Sequence, residues 1–258
     1  MFDPKTIQYT FDQPVAYKEL LFYPVKLREY YIFSATLTAL MLEKTSDPDP
    51  IKTIPMTYLE YLFYKNDGEN NLIYLLDGLL RLTLGKLDDE NFKIKYGVGS
   101  DKRPQIEISE KKYDSHDFDN IRKIIANQNS ISLPNEKIQK TVRDSLERAR
   151  RYRQKLMGTK IADLEDQIVA LSIYTGWSMD EIYDLTIRKF KKSIERADHI
   201  IHQQIYLQAE MGGMVKFKDK GVITGWLSNI EKEDEYSDVS LDLESLQSKV
   251  DFSDAKKE

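Results

Sequence analysis

Between residues 84 and 115 the hydrophobic period of this chain switches from helical to alternating and back. On one side, Leu72, Ile73, Leu75, Leu76, Leu79, Leu80 and Leu82 crowd almost every face of a helical wheel. A helix apolar all round has to be buried centrally. Then Phe92-Lys93-Ile94-Lys95-Tyr96 and Gln105-Ile106-Glu107-Ile108 alternate, joined by the turn-rich Gly97 to Pro104. Two alternating runs around such a connection predict a β-hairpin at about 92–108 with one wet face. Gly97 and Gly99 read as turn residues, because no helix and no Gly-Lys-Ser/Thr follows them to make a phosphate loop. The chain is therefore expected to be α+β and predominantly α.

Helical spacing also predicts segments at Lys26–Leu42, through Leu27, Tyr30, Tyr31, Ser34, Leu37, Thr38 and Met41, and at roughly Met56–Tyr64 and Glu69–Leu84. Leu20 to Val25 reads as a short strand that Pro24 confines to an edge or an end. From Ser115, read as a cap, the pattern stays helical. Pro134 opens a segment stopped by Gly158, and Thr159 opens one closed by Gly176. Ser178 with Glu181 forms a capping box, and a long last helix through Ile187, Phe190, Ile194, Ala197 and Ile201 ends at Gly212-Gly213. These signals divide the chain into a polar arm (1–19), a strand–helix domain with the hairpin (20–113), a helical domain forming a bundle (114–230) and an acidic tail (231–258).

The tail carries ten acids against four bases, which is more than the whole net charge of −5, so the rest is close to neutral. Its sparse Val239, Leu241, Leu243, Leu246, Val250 and Phe252 bury too little to offset ordering entropy alone. The expectation is a segment that is disordered or docks on a partner. With no cysteine and three histidines, disulfides, thiol catalysis and sulfur-based zinc sites are excluded, and an imidazole-rich metal centre is disfavoured. The start has neither a basic n-region nor an apolar h-region, and Leu72 to Leu84 is too short for a bilayer span, so an intracellular chain without membrane association is expected.

No constellation demands catalysis. His199 and His202 stand three apart on one helix, but no facing helix supplies further imidazoles, so no metal is expected. The acids Asp163, Glu165, Asp166 and Asp180, Glu181, Asp184 fall in first turns or on polar faces, where they complement the helix dipole. No cofactor motif is present. The basic stripe Lys137, Lys140, Arg143, Arg148, Arg150, Arg151, Arg153, Lys155 and Lys160 has two readings. It could line phosphates, with Thr175-Gly176-Trp177 as the turn of a helix-turn-helix, making the protein a helical nucleic-acid-binding regulator. Against that stand the acidic Asp180-Glu181-Ile182-Tyr183-Asp184 and a pI near 5.5. The other reading is an acidic protein partner, the chain's own tail or a neighbouring copy. The residues expected to bind a partner are Arg143, Arg150, Arg151 and Arg153, with Leu241, Leu243 and Leu246 of the tail.

Several segments together resemble a mostly helical family of tail proteins from large tailed bacteriophages: Asp117 to Ile125, Lys160 to Ile168, Thr175-Gly176-Trp177-Ser178, Ile182 to Phe190, and Met211 to Val215. Phe22-Tyr23-Pro24-Val25-Lys26 and Pro55 to Phe63 are similar to baseplate hub assembly proteins of contractile-tailed phages. The likeness spans most of 20–226, through structural motifs, and the acidic tail has no counterpart in it. It implies a non-enzymatic protein of baseplate hub assembly, a structural baseplate or tail component, or a chaperone of the tape-measure protein. The partners implied are other tail, baseplate or tape-measure proteins, or further copies of the chain. The location implied is the virion tail, or the host cytoplasm during assembly.

Overall fold

The computed structural model describes residues 4–66, 71–99, 102–134, 144–145, 148–149, 152, 162–213, 216 and 225–228. They fold as a predominantly helical α+β chain with two small antiparallel sheets. The chain divides into two compact units, residues 1–197 and 198–258.

The first unit begins with α1 (Pro4–Thr10) and the short strands β1 (Val15–Tyr17) and β2 (Leu20–Phe22), paired antiparallel with Val15 opposite Phe22. The first nineteen residues, read as an arm, send Tyr9 and Val15 into the main core. α2 (Tyr30–Thr36) continues at both ends into 3₁₀ turns, Leu27–Glu29 and Leu37–Leu40. Its inward face is Leu27, Phe33, Thr36, Ala39 and Leu40, whereas Tyr31, placed inward by helical spacing, stands in solvent. This corrects the face read from sequence: each 3₁₀ turn advances three residues rather than 3.6, so a single helical period drifts off the buried side.

The short α3 (Pro50–Thr53) precedes α4 (Tyr58–Lys65), which starts with the capping box Thr57/Glu60, and α5 (Leu72–Thr83), capped by Asn71. Buried Leu76, Leu79 and Leu80 put α5 in the centre of the core. The hairpin forms as expected. β3 (Ile94–Val98) pairs with β4 (Pro104–Ile108) in the register Ile94 opposite Ile108, and β5 (Lys111–Tyr113) adds a third strand. Gly97 lies within β3 rather than in the turn, where the backbone reverses with a positive φ at Lys102.

α6 (Ser115–Gln128) is capped by Asp114, not by Ser115, whose hydroxyl instead donates to the Pro104 carbonyl at 2.9 Å. Phe118, Ile121, Ile124 and Ile125 join the same core as Leu59, Leu76 and Ile106, so one hydrophobic interior runs across residues 113 and 114. At the end of α6, Gln128 Nε2 donates to the Phe22 carbonyl and Asn129 Oδ1 accepts from the Val25 amide, both at 2.9 Å. Buried amides paired in this way fix the strand to the helix.

A smaller core follows, built from Leu27, Ile168, Leu171, Ile182 and Phe190. It is supplied by α7 (Leu164–Thr175), α8 (Met179–Tyr183) and the first turns of α9 (Ile187–Met211). In the second unit, the described residues are the remainder of α9 with 212–213, 216 and 225–228. The cap that opens a helix at Thr159 and the stop at Gly158 lie outside the described residues.

Candidate partner-docking groove

The α7–α8 corner is built from local signals. Asp163 caps α7 by accepting from the Asp166 amide at 2.8 Å. Gly176 ends it in the left-handed region, φ 76°, donating its amide to the Ser172 carbonyl. A residue with a Cβ is strained there, which is why glycine closes the helix. Ser178 and Glu181 then form the expected capping box of α8. Both the backbone amide and the hydroxyl of Ser178 hold the Glu181 carboxyl below its ordinary pKa.

A long-range pairing brings this corner to the N-terminal segment. Lys26 and Thr186 form an antiparallel bridge, the Leu27 amide donates to the Leu185 carbonyl at 2.8 Å, and the Ile187 amide donates to the Val25 carbonyl at 2.9 Å. Across it, Asp184 Oδ1 accepts from Lys26 Nζ at 3.0 Å and pairs with Arg28 Nη2 at 2.8 Å. The Lys26 hydrogen bond, with Arg28 adding its charge, holds the Asp184 carboxyl below its usual range. These pairs are exposed, so they orient the segment more than they stabilise it.

Between the paired pieces lies an open groove of about 350 Å³. Leu27, Leu164 and Ile168 line it with Tyr31, Val169, Met179 and Tyr183, and Arg28 and Glu165 contribute charge. α7 is apolar on both sides: Ile168 and Leu171 face the small core, while Val169, Ile173 and Tyr174 face water, Ile173 at 80% exposure. Tyr31, at 74% exposure, and the exposed Met179 and Tyr183 add apolar surface to the groove. Exposed apolar side chains gathered in a groove mark a place where another molecule binds. Residues 162–187 include six acids, Asp163, Glu165, Asp166, Asp180, Glu181 and Asp184, and no lysine or arginine; Glu165 lines the groove, and Asp184 is already paired with Lys26 and Arg28. All six acids are exposed.

Of the residues expected to bind a partner, Arg143, Arg150, Arg151, Arg153, Leu241, Leu243 and Leu246 lie outside the described residues. Within the same stripe, residues 144–145, 148–149 and 152 are helical, with Arg148 exposed and its Nε donating to the Asp144 carbonyl at 3.1 Å. The segment α8, which follows the Thr175-Gly176-Trp177 turn of the helix-turn-helix reading, has five residues and presents Asp180 and Glu181 to solvent, the wrong charge to meet phosphate. In the second unit, His199 Nε2 lies 3.3 Å from the Gly225 carbonyl, and His202 Nδ1 lies 2.9 Å from the Asp198 carbonyl. Among the described residues no group of three acids or histidines is placed to hold a metal ion, and no helix is long and apolar enough to cross a membrane. Sequence reasoning missed the groove, whose walls come from residues 27–31 and 164–183.

Residues 153–231, just under a third of the chain, match the YomV second domain, a phage-associated domain family. The matched segment contains α7, α8 and α9. No curated protein and no solved structure matches the chain.

Proposed function

We propose that this protein is a non-enzymatic bacteriophage tail protein that works by binding other proteins. It acts in baseplate hub assembly or as a structural part of the baseplate or tail, and its open apolar groove shields apolar helices such as those of a tape-measure protein. One observation carries this reading: the segment matching a phage-associated family contains the two helices, α7 and α8, that leave Val169, Ile173, Tyr174, Met179 and Tyr183 in water. A helix apolar on both faces is costly to leave exposed unless a partner covers it. The tail and hub assignment rests on the sequence resemblance set out above. The acidic segment 231–258, with Leu241, Leu243 and Leu246, is a second docking element in this proposal, and the arginines at 143, 150, 151 and 153 a third.

The test is genetic and structural. Deleting the gene from the phage that encodes it should yield filled heads with missing or defective tails in electron micrographs, restored by the gene supplied in trans. Normal, infectious particles from the deletion would overturn the proposal.

A further inference from the structure

Two surfaces of this chain are complementary to each other. The first is the groove, lined by apolar side chains together with Arg28 and Glu165 and formed in part by the segment 162–187, whose six acids outnumber the two bases, Lys26 and Arg28, that pair with Asp184. The second is the stretch 137–160, which holds nine lysines and arginines against two acids. Its apolar residues Ile138, Val142, Leu146, Ala149, Tyr152 and Leu156 recur at steps of three and four, one face of a helix. Two of these, Ala149 and Tyr152, are among the described residues; both are helical and exposed, Tyr152 at 65%. The chain therefore leaves these members of its own basic, apolar-striped segment in solvent, and it leaves the groove open as well.

We propose that the groove receives the 137–156 segment of a second copy of the chain. In this contact the apolar stripe lies over Leu164, Ile168, Val169 and Tyr31, while the flanking lysines and arginines reach the acids of residues 162–187. Long basic side chains suit such an edge, since their stems cover apolar surface and their charges stay wet. Apolar burial supplies the affinity and opposite charges set the orientation and the speed of encounter. Because groove and stripe are different surfaces, the contact is heterologous, and each copy can both give and receive. Repetition closes into a ring or extends as a filament, depending on the rotation between copies. This inference stands on the charge and exposure pattern and holds whether or not the protein belongs to a phage tail.

Sedimentation of the purified full chain over a range of concentrations, at low and at high salt, tests it. The wild-type chain should associate with concentration, less strongly in high salt. Reversing the stripe (Arg148→Glu with Arg151→Glu) or the groove edge (Glu165→Lys with Asp180→Lys) should each weaken association by about tenfold or more at low salt. Mixing the two variants should restore it, because each then meets a surface of opposite sign. All four positions are charged, and Arg148, Glu165 and Asp180 are exposed, so the variants should fold; Tyr31→Ser at the groove serves if one does not. A wild-type chain that stays monomeric throughout would overturn the inference and assign the stripe to its own chain or to another partner. So would an oligomer that neither reversal weakens.

Discussion

Tyr17 and Asp117 lie 100 residues apart in sequence and share a hydrogen bond, the phenol donating to Oδ1 at 2.8 Å. The other carboxylate oxygen accepts from Lys18 Nζ at 2.5 Å and from the Asp114 amide at 3.3 Å. A single side chain, 10% exposed, thus completes the capping box that Asp114 opens on α6 and anchors the β1–β2 hairpin to it. With three donors around it, this carboxylate acts as a clamp rather than as a free acid or base.

The clamp makes stability depend on pH. Burial pushes the Asp117 carboxyl up, but Lys18, Tyr17 and the Asp114 amide together outweigh burial and hold it below its ordinary 3.8. A carboxyl depressed on folding stabilises the native state fully above its unfolded pKa, and this contribution is lost as pH falls through the folded value. The melting temperature should therefore fall on acidification below about pH 4, and Asp117→Asn should flatten that dependence. At neutral pH, Asp117→Ala should cost about 2 kcal/mol, since the reciprocal capping-box bond and two tertiary hydrogen bonds go together. An unchanged acid profile in Asp117→Asn would refute the assignment.

Arg122 makes a second long-range tie. Its guanidinium lies 3.5 Å from the centroid of the Tyr58 ring, and its Nε and Nη2 donate to the Leu40 carbonyl at 3.0 and 2.7 Å. Removing the head group strands a buried carbonyl and uncovers an aromatic face, so Arg122→Ala should cost about 3 kcal/mol in denaturant unfolding. Arg122→Lys should recover only part of this, because an ammonium cannot both stack flat and donate twice from one plane. A loss under about 0.5 kcal/mol in Arg122→Ala would show the tie to be incidental.

The two sides of α7 should respond oppositely. Ile168 is buried in the small core at 7% exposure, so Ile168→Ala should destabilise by about 2–4 kcal/mol. Ile173, at 80% exposure, touches water, and Ile173→Ser should change stability by no more than about 0.5 kcal/mol. Thermal or denaturant unfolding of both variants decides it. A large loss at Ile173 would mean the exposed side of α7 is part of the fold rather than a binding surface.

The legible parts of this fold are those with local causes. The hairpin at Ile94–Val98 and Pro104–Ile108, the box at Ser178 and Glu181, the stop at Gly176 and the central α5 all follow from short-range pattern. β5 escaped because a three-residue strand with one buried side chain, Tyr113, has no period to detect. Tyr9 and Val15 escaped because polar neighbours mask isolated core residues in a short segment. The groove was illegible for a different reason. Its walls meet through the pairing of residues 25–27 with 185–187, and such a contact leaves no trace in local spacing. What could have drawn attention to it is α7 itself, where Val169, Ile173 and Tyr174 are apolar on the side away from Ile168 and Leu171.

The last prediction concerns the acidic segment. Among the described residues, the buried members of both hydrophobic cores run from Tyr9 to Phe190, and the 231–258 segment has too few apolar residues to build a core of its own. Deleting residues 231–258 should therefore leave helical circular dichroism and the melting temperature nearly unchanged. Its ten acids and four bases give it a net charge of −6, and Leu241, Leu243 and Leu246 offer apolar anchors for a partner protein. Exposed ion pairs contribute about 0–1 kcal/mol each, so charge should steer this contact and the leucines should hold it. Truncation should weaken binding to a partner protein, and Arg150→Glu, Arg151→Glu and Arg153→Glu together should slow association at low salt and matter less at high salt. Unfolding of the truncated chain would place the segment in the core. Salt-dependent binding of the wild-type chain to random-sequence DNA, abolished by the same three reversals, would instead favour the nucleic-acid reading of the stripe.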